Sequence, residues 1–171
     1  MRKLLLAGAF GALAVPTAAL AECGEVSVAE MNWASASIIS KITEFLMVQG
    51  YGCEVTLVPS ATTTAVTSLA ENNEPDVVPE LWVNSAPLYN QLEAEGKAIT
   101  AANVFSDGGT EAWFVPDYVV AEHPELATIE GILANPELVG GRFHNCPDGW
   151  GCRIAHDNLV KAFDFDGNGM E

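Results

Sequence analysis

Positive charge is scarce in this sequence. Seven Lys and Arg residues stand against 23 Asp and Glu residues, and two of the seven, Arg2 and Lys3, lie at the extreme N-terminus. Such an acidic chain repels polyanions, which argues against nucleic acid and anionic lipid as partners. It attracts cations weakly and over long range, although the simpler interpretation is that the charge keeps the protein soluble.

Long apolar runs are absent beyond the N-terminus. Arg2 and Lys3 precede an apolar run from Leu4 to Val15, and Ala19-Leu20-Ala21 has the small-x-small form of a cleavage site. The pattern predicts a secretory signal peptide over residues 1–21, too short to span a bilayer. Glu22 lies before Cys23, which favours free release over lipid anchoring. We therefore expect a periplasmic protein with 23 acidic and five basic residues, a formal charge of −18.

Catalytic signatures are also missing. The sequence contains neither G-x-S-x-G nor H-E-x-x-H, so we expect no enzyme and no cofactor. The alternative is a secreted zinc-binding hydrolase, because H-x-C-x5-C-x3-H, formed by His144, Cys146, Cys152 and His156, contains ligand types that suit tetrahedral zinc. Its spacing is not that of a standard finger, and export favours oxidised cysteines.

The C-terminal DFDGNGME resembles the first half of a calcium loop through Asp164, Asp166 and Asn168. The acidic residue that the pattern needs at its twelfth position would fall beyond Glu171. A polar turn is therefore the better interpretation.

Four cysteines, Cys23, Cys53, Cys146 and Cys152, all lie after the predicted signal peptide. An even number in an oxidising compartment predicts two disulfides. Of the three possible pairings we favour Cys23–Cys53 with Cys146–Cys152, because Cys23 and Cys53 each precede a predicted strand. The starts of two parallel strands can be neighbours.

Strand and helix patterns alternate along the chain, which predicts an α/β fold with a mainly parallel sheet. The predicted strands cover residues 26–29, 54–58, 76–82 and 112–115. The predicted helices are 35–49 (capped by Ser35 or Ser37 and ended by Gly50), 62–70, one capped by Ser85 and ended by Gly96, two short ones near Val119 and Ile129, and 151–163.

Tryptophans are few and informatively placed. Trp33 follows the first predicted strand and Trp82 ends the third, each just before a helix, and Trp150 lies at the start of the last helix. Ligands of open α/β sheets bind outside the carboxyl ends of the strands. Although any single Trp, Trp113 included, is readily explained as a core residue, the three in turns are expected to converge on one cleft.

A cleft lined by indole rings suits a quaternary ammonium ion, which carries a permanent charge and no N–H donor. Each aromatic face contributes roughly 0.5–2 kcal/mol to binding such a cation. The amides of Gly151 and Cys152 would open a helix, where unpaired donors attract an anion. Together these features favour a zwitterion with trimethylammonium at one end and carboxylate at the other, a betaine.

Three stretches, "VAEMNWASA", "DVVPELWVNSAPLY" and "CPDGWGC", carry a resemblance that extends over almost all of residues 23–163. They resemble the substrate-binding proteins of ABC importers for glycine betaine, choline and related quaternary amines. The resemblance implies a disulfide-closed loop in which Trp150 faces the ammonium and Gly151 and Cys152 hold the carboxylate. It also implies box positions at Trp82, Trp33 and, with less correspondence, Trp113. At Trp82-Val83-Asn84 the chain departs from the Trp-Thr-Pro or Trp-Met-Pro common in the family.

The resemblance further implies a two-lobe periplasmic binding protein fold of type II, which closes on its ligand and docks on a membrane permease. Family members are about twice as long, so we expect lobe I at residues 22–108 and an incomplete lobe II at residues 109–171. A sensory domain using the same pocket is the remaining alternative, because nothing in the residues separates import from sensing.

Overall fold

The computed structural model describes residues 23–171, and the predicted signal peptide lies outside the described residues. Strands β1 (Glu25–Met31) and β2 (Glu54–Ser60) pair in parallel, with Glu25 beside Glu54 and Met31 beside Ser60. Helix α1 (Ala34–Tyr51) connects them, so the chain begins with a β-α-β unit. The predicted α/β class is therefore confirmed for this part of the chain.

A disulfide joins the starts of the two strands, as predicted. Cys23 and Cys53 are bonded with their Cα atoms 4.5 Å apart. The amide of Glu54 donates to the carbonyl of Gly24 at 2.8 Å, so the ladder starts directly beside the bridge. This end of the sheet is thus held by a covalent bond and by backbone pairing.

The predicted ends of α1 are wrong in detail. Its first turn follows Trp33 without a side-chain cap, because Ser35 and Ser37 donate their hydroxyls to Glu80 and Glu30 instead. Gly52, not Gly50, caps the end of the helix after Tyr51. Gly52 adopts a left-handed conformation (φ 70°) and its amide returns to the carbonyls of the last turn.

The third predicted strand is reduced to a single parallel bridge between Val77 and Val28. Asp76 contributes to this, because its carboxylate accepts the Ser27 amide at 2.8 Å, a donor that a longer strand would pair with a carbonyl. Pro79 then removes a donor two residues after the bridge. The predicted strand at 112–115 is also wrong: within residues 23–171, β1 and β2 are the only strands.

Helices dominate the remainder. They are α2 (Thr62–Asn72), α3 (Pro87–Ala94), α4 (Asp117–Glu122), α5 (Ile129–Ala134) and α6 (Gly151–Ala162), with short 3-10 turns at Val83–Ser85, Pro124–Ala127, Pro136–Val139 and Asp166–Asn168. The predicted positions are confirmed, but Ser85 does not cap α3, since its hydroxyl donates to Glu111. No helix within residues 23–171 is long and apolar enough to cross a membrane.

Three groups of buried apolar residues form the core. Two are built from the first part of the chain, around Ala29 and Met31 and around Tyr89 and Leu92. The third is built from the later part, around Leu126, Ile132, Phe165 and Met170. None of these groups combines buried residues from both parts of the described chain, so the two parts bury separate apolar surfaces.

Candidate functional site

A cavity of about 860 Å³ lies between these two parts of the chain. Every residue predicted to bind ligand lines it: Trp33, Trp82, Trp113, Trp150, Gly151 and Cys152. Trp33 follows β1 directly, and Trp150 is the residue before α6. Trp82 precedes the 3-10 turn at Val83–Ser85. The junctions between elements thus direct aromatic side chains from distant parts of the sequence to one opening.

Trp33 and Trp150 are in direct contact. Their ring centroids lie 5.2 Å apart and their planes cross at 67°, an edge-to-face arrangement that aromatic pairs prefer. Trp82 is supported on another side: a Cβ at Gly109 would overlap its six-membered ring, so the glycine backbone packs on the indole. The rings are therefore positioned by packing as well as by hydrogen bonds.

All four indole N–H groups donate to protein acceptors. The bonds are Trp33 to Glu80 Oε1 at 2.8 Å, Trp82 to Glu80 Oε1 at 2.9 Å, Trp113 to His156 Nδ1 at 3.0 Å and Trp150 to Asn32 Oδ1 at 2.6 Å. With their donors occupied, the rings can offer a ligand only their faces and carbon edges. That suits a ligand group that needs no hydrogen-bond partner, such as a methylated ammonium.

Glu80 is a site residue that sequence reasoning missed. Its side chain is 2% exposed, and its Oε1 accepts from two indoles and from the Ser35 hydroxyl at 3.0 Å. The available signal was a single acid within the apolar stretch "VVPELW". Nothing local identified that acid as the acceptor for Trp33, because the two lie 47 residues apart in sequence.

The cysteine loop is closed and docked. Cys146 and Cys152 form the predicted disulfide, with Cα atoms 6.1 Å apart. The carbonyl of Gly149 accepts the amide of Thr63 at 3.0 Å and its hydroxyl at 3.2 Å, at the start of α2. Gly149 has φ 84°, a left-handed conformation that favours glycine in this turn. The loop thus contacts the first part of the chain directly beside Trp150.

The start of α6 faces the cavity through Gly151 and Cys152. Gly151 is required sterically, because a Cβ there would overlap the Ser85 carbonyl oxygen. Within residues 23–171 the two amides have no hydrogen-bond acceptor. Unpaired donors at the positive end of a helix dipole are the groups that attract a carboxylate.

Trp113 occupies a different environment from the other three. Its ring lies 4.8 Å from Phe143, 5.4 Å from His156 and 5.6 Å from Phe165, measured between centroids. It therefore belongs to the third core group and reaches the cavity from that group. Trp113 is therefore partly a core residue, although it also lines the cavity.

The zinc alternative is contradicted by the chemistry of its ligands. Cys146 and Cys152 are joined in a disulfide and cannot act as thiolates, and His156 Nδ1 accepts from Trp113. No group of three His, Cys, Asp or Glu side chains in the described part of the chain has the geometry to hold a metal. At the C-terminus Asp164 accepts the Gly167 amide within the expected turn.

The comparison with protein families yields one match. A family model named OpuAC, described as the substrate binding domain of ABC-type glycine betaine transport system, matches residues 24–171. No curated protein matches the chain. The family match covers the sheet, the cysteine loop and all four tryptophans.

Proposed function

Because the chain belongs to the OpuAC family of substrate-binding domains from ABC-type glycine betaine transport systems, we propose that it captures a quaternary ammonium compound in its tryptophan-lined cavity. Glycine betaine and choline are the proposed ligands, and delivery to an ABC permease is the proposed purpose. The family is not enzymatic, so capture is non-covalent. The proposed location is the periplasm.

The observation that carries the proposal is the convergence of four indoles with occupied N–H groups on one cavity. Four faces at roughly 0.5–2 kcal/mol each would contribute about 2–8 kcal/mol to binding a cation. The upper end of that range corresponds to a dissociation constant of about 1 μM. Trp33, Trp82 and Trp150 form the proposed cage, and Trp113 is its proposed fourth wall.

The carboxylate of a betaine is proposed to bind the amides of Gly151 and Cys152. Both amides lack a protein acceptor within residues 23–171 and lie at the start of a 12-residue helix. Choline has a hydroxyl in place of the carboxylate and gains less from these donors. Discrimination between the two ligands is therefore assigned to α6.

The two-lobe division is retained as part of the proposal, with lobe I at residues 22–108 and lobe II from residue 109. Support comes from the core groups, which do not mix buried residues from the two parts. The cavity lies between the parts, as hinge closure around a ligand requires.

The test is isothermal titration calorimetry of the disulfide-intact protein with glycine betaine and with choline. Saturable heat for either ligand, without consumption of the ligand, is the expected result. Glycine, which carries the carboxylate but no methyl groups on its ammonium, is the matched control and should give no heat. If glycine bound as tightly as glycine betaine, recognition of the methylated cation by the cage would be excluded.

A further inference from the structure

Glu80 combines burial, charge and an incomplete set of partners. One carboxylate oxygen accepts from Trp33, Trp82 and Ser35, whereas the other, Oε2, is buried without any hydrogen-bond partner in the described part of the chain. No Lys, Arg or His within residues 23–171 forms an ion pair with it. The cage is therefore built around an acid that no protein cation compensates.

A buried carboxylate without a counter-charge is costly, because the interior solvates it far less well than water. Three donors on Oε1 offset part of that cost, and Oε2 has none. A neutral amide oxygen could accept from the same three donors without burying a charge. The acid is consequently useful only if its charge does something that a neutral acceptor in the same place would not do.

We propose, as a refinement that rests on the proposed function, that Glu80 is a positioning and specificity-determining residue of the cage. Its Oε1 sets the spacing of Trp33 and Trp82 by accepting both indole N–H groups. Its negative charge makes the cavity select a permanent cation over a neutral molecule of the same shape. Glu80 acts through the rings and does not itself contact the ligand.

Glu80 would act on the ligand through the indole rings that it holds. A carboxylate that accepts an N–H bond polarises the donor, and the ring face becomes more negative toward a cation. Two rings share this acceptor, and Trp33 transmits its position to Trp150 by their edge-to-face contact at 5.2 Å. One side chain thereby controls three of the proposed walls.

The test compares two ligands of nearly equal shape, choline and 3,3-dimethylbutan-1-ol, which has a carbon in place of the ammonium nitrogen. Glu80→Gln keeps an oxygen that can accept the indole N–H groups but removes the charge. Choline affinity should fall by about tenfold or more, while affinity for the neutral alcohol changes little. Glu95→Gln is the matched control, because Glu95 is an exposed acid paired with Lys97 and should leave both affinities unchanged.

The variant Glu80→Asp distinguishes the effect of side-chain length from the effect of charge. The shorter acid keeps the charge but can reach only one of the two indoles, so both affinities should fall while the preference for choline is retained in part. If Glu80→Gln lowers both affinities by the same factor, the charge has no part in selection and the proposal is overturned. The proposal is equally overturned if Glu80→Asp abolishes the preference for choline.

NMR of the unliganded protein tests the positioning role of Glu80 independently of the proposed function. In spectra of the ¹⁵N-labelled, unliganded protein, the indole signals of Trp33 and Trp82 should move in both Glu80 variants and stay fixed in Glu95→Gln. Unmoved signals would refute the shared acceptor. If the signals move but the wild-type protein binds neither choline nor glycine betaine, the positioning role stands. The proposed function and the selectivity of Glu80 then fail together.

Discussion

At the scale of single residues, the tryptophans are held in place by hydrogen bonds from their indole N–H groups. Each indole N–H has a side-chain acceptor: an acid for Trp33 and Trp82, an amide for Trp150 and an imidazole for Trp113. Fixed rings lose little rotational freedom when a ligand arrives, so more of the contact energy appears as affinity. Substituting one of these rings should therefore weaken binding in the proposed cage.

Replacing Trp150 with Ala should weaken glycine betaine binding at least tenfold. The substitution removes one aromatic face and also the partner against which Trp33 packs. Calorimetric titration of the variant measures the change. Tyr51→Ala is the control, since Tyr51 is 70% exposed at the end of α1 and does not line the cavity, and its affinity should equal that of the wild type. Undiminished affinity in Trp150→Ala would remove Trp150 from the cage.

The contribution of Asp76 to folding stability should depend on pH. The hydroxyl and the amide of Ser27 both donate to its carboxylate, at 2.6 and 2.8 Å, and these bonds lower the pKa of Asp76 from its ordinary value of 3.8. A carboxyl whose pKa is lower in the folded chain contributes stability that is fully present above about pH 3.8. That contribution disappears as the pH falls through the folded-state value.

Asp76→Asn should therefore be less stable than the wild type at pH 7, and the gap in unfolding free energy should narrow as the pH falls below 3.8, the ordinary pKa of the carboxyl. Urea unfolding at several pH values measures it. Asp107→Asn, an exposed loop position with no side-chain hydrogen bond in the described structure, should show no such gap. A gap that is equally large at every pH would mean that the charge on Asp76 is not responsible.

At the scale of elements, the two disulfides serve different segments. Cys23–Cys53 spans 30 residues and holds the starts of β1 and β2. Cys146–Cys152 spans six residues and shapes the turn that leads into α6. The long loop restricts the unfolded chain more, whereas the short one fixes Trp150 and the amides of α6 beside the cavity.

Removal of each disulfide should affect stability and binding differently. In the chain-entropy model, a 30-residue loop contributes about 3.6 kcal/mol to stability and a six-residue loop about 2.2 kcal/mol. Cys23→Ser with Cys53→Ser should therefore lower the unfolding free energy more and leave affinity nearly unchanged. Cys146→Ser with Cys152→Ser should weaken glycine betaine binding more than choline binding, because the loosened α6 amides serve the carboxylate.

Thermal unfolding and calorimetry on the same two variants check both halves of this prediction. Mass spectrometry of native protein should find no free thiols. If the short bridge were removed without any loss of glycine betaine affinity, the loop would have no role in holding the ligand carboxylate.

At the scale of the whole molecule, the cavity is assembled by long-range contacts. The Asn32–Trp150 bond joins residues 118 apart in sequence, and the Thr63–Gly149 bond joins residues 86 apart. Gly151 packs against Ser85, whose hydroxyl donates to Glu111 on the far side of the proposed lobe boundary. The proposed ligand capture would therefore depend on the relative placement of the two parts, which is how binding energy could drive the proposed closure.

The sequence alone was sufficient wherever the signal is local. Hydrophobic periodicity predicted the helices, the cysteine count and strand starts predicted both bridges, and the turn positions of three tryptophans predicted their convergence. The predicted helix caps were wrong because a serine hydroxyl can donate to a distant acid instead of accepting from a nearby backbone amide. The predicted strands at 76–82 and 112–115 were also wrong. A β pattern also needs a partner strand to become a strand.

Only the tertiary structure decided how the indoles are held. Glu80 resembles many other acids in this chain until folding brings Trp33 and Trp82 to the same oxygen. Only the fold shows that Trp113 reaches the cavity from the third core group. The physical reason is that residue type and spacing specify what a side chain can do. The acceptor that a donor meets depends on contacts between segments dozens of residues apart, which no local pattern encodes.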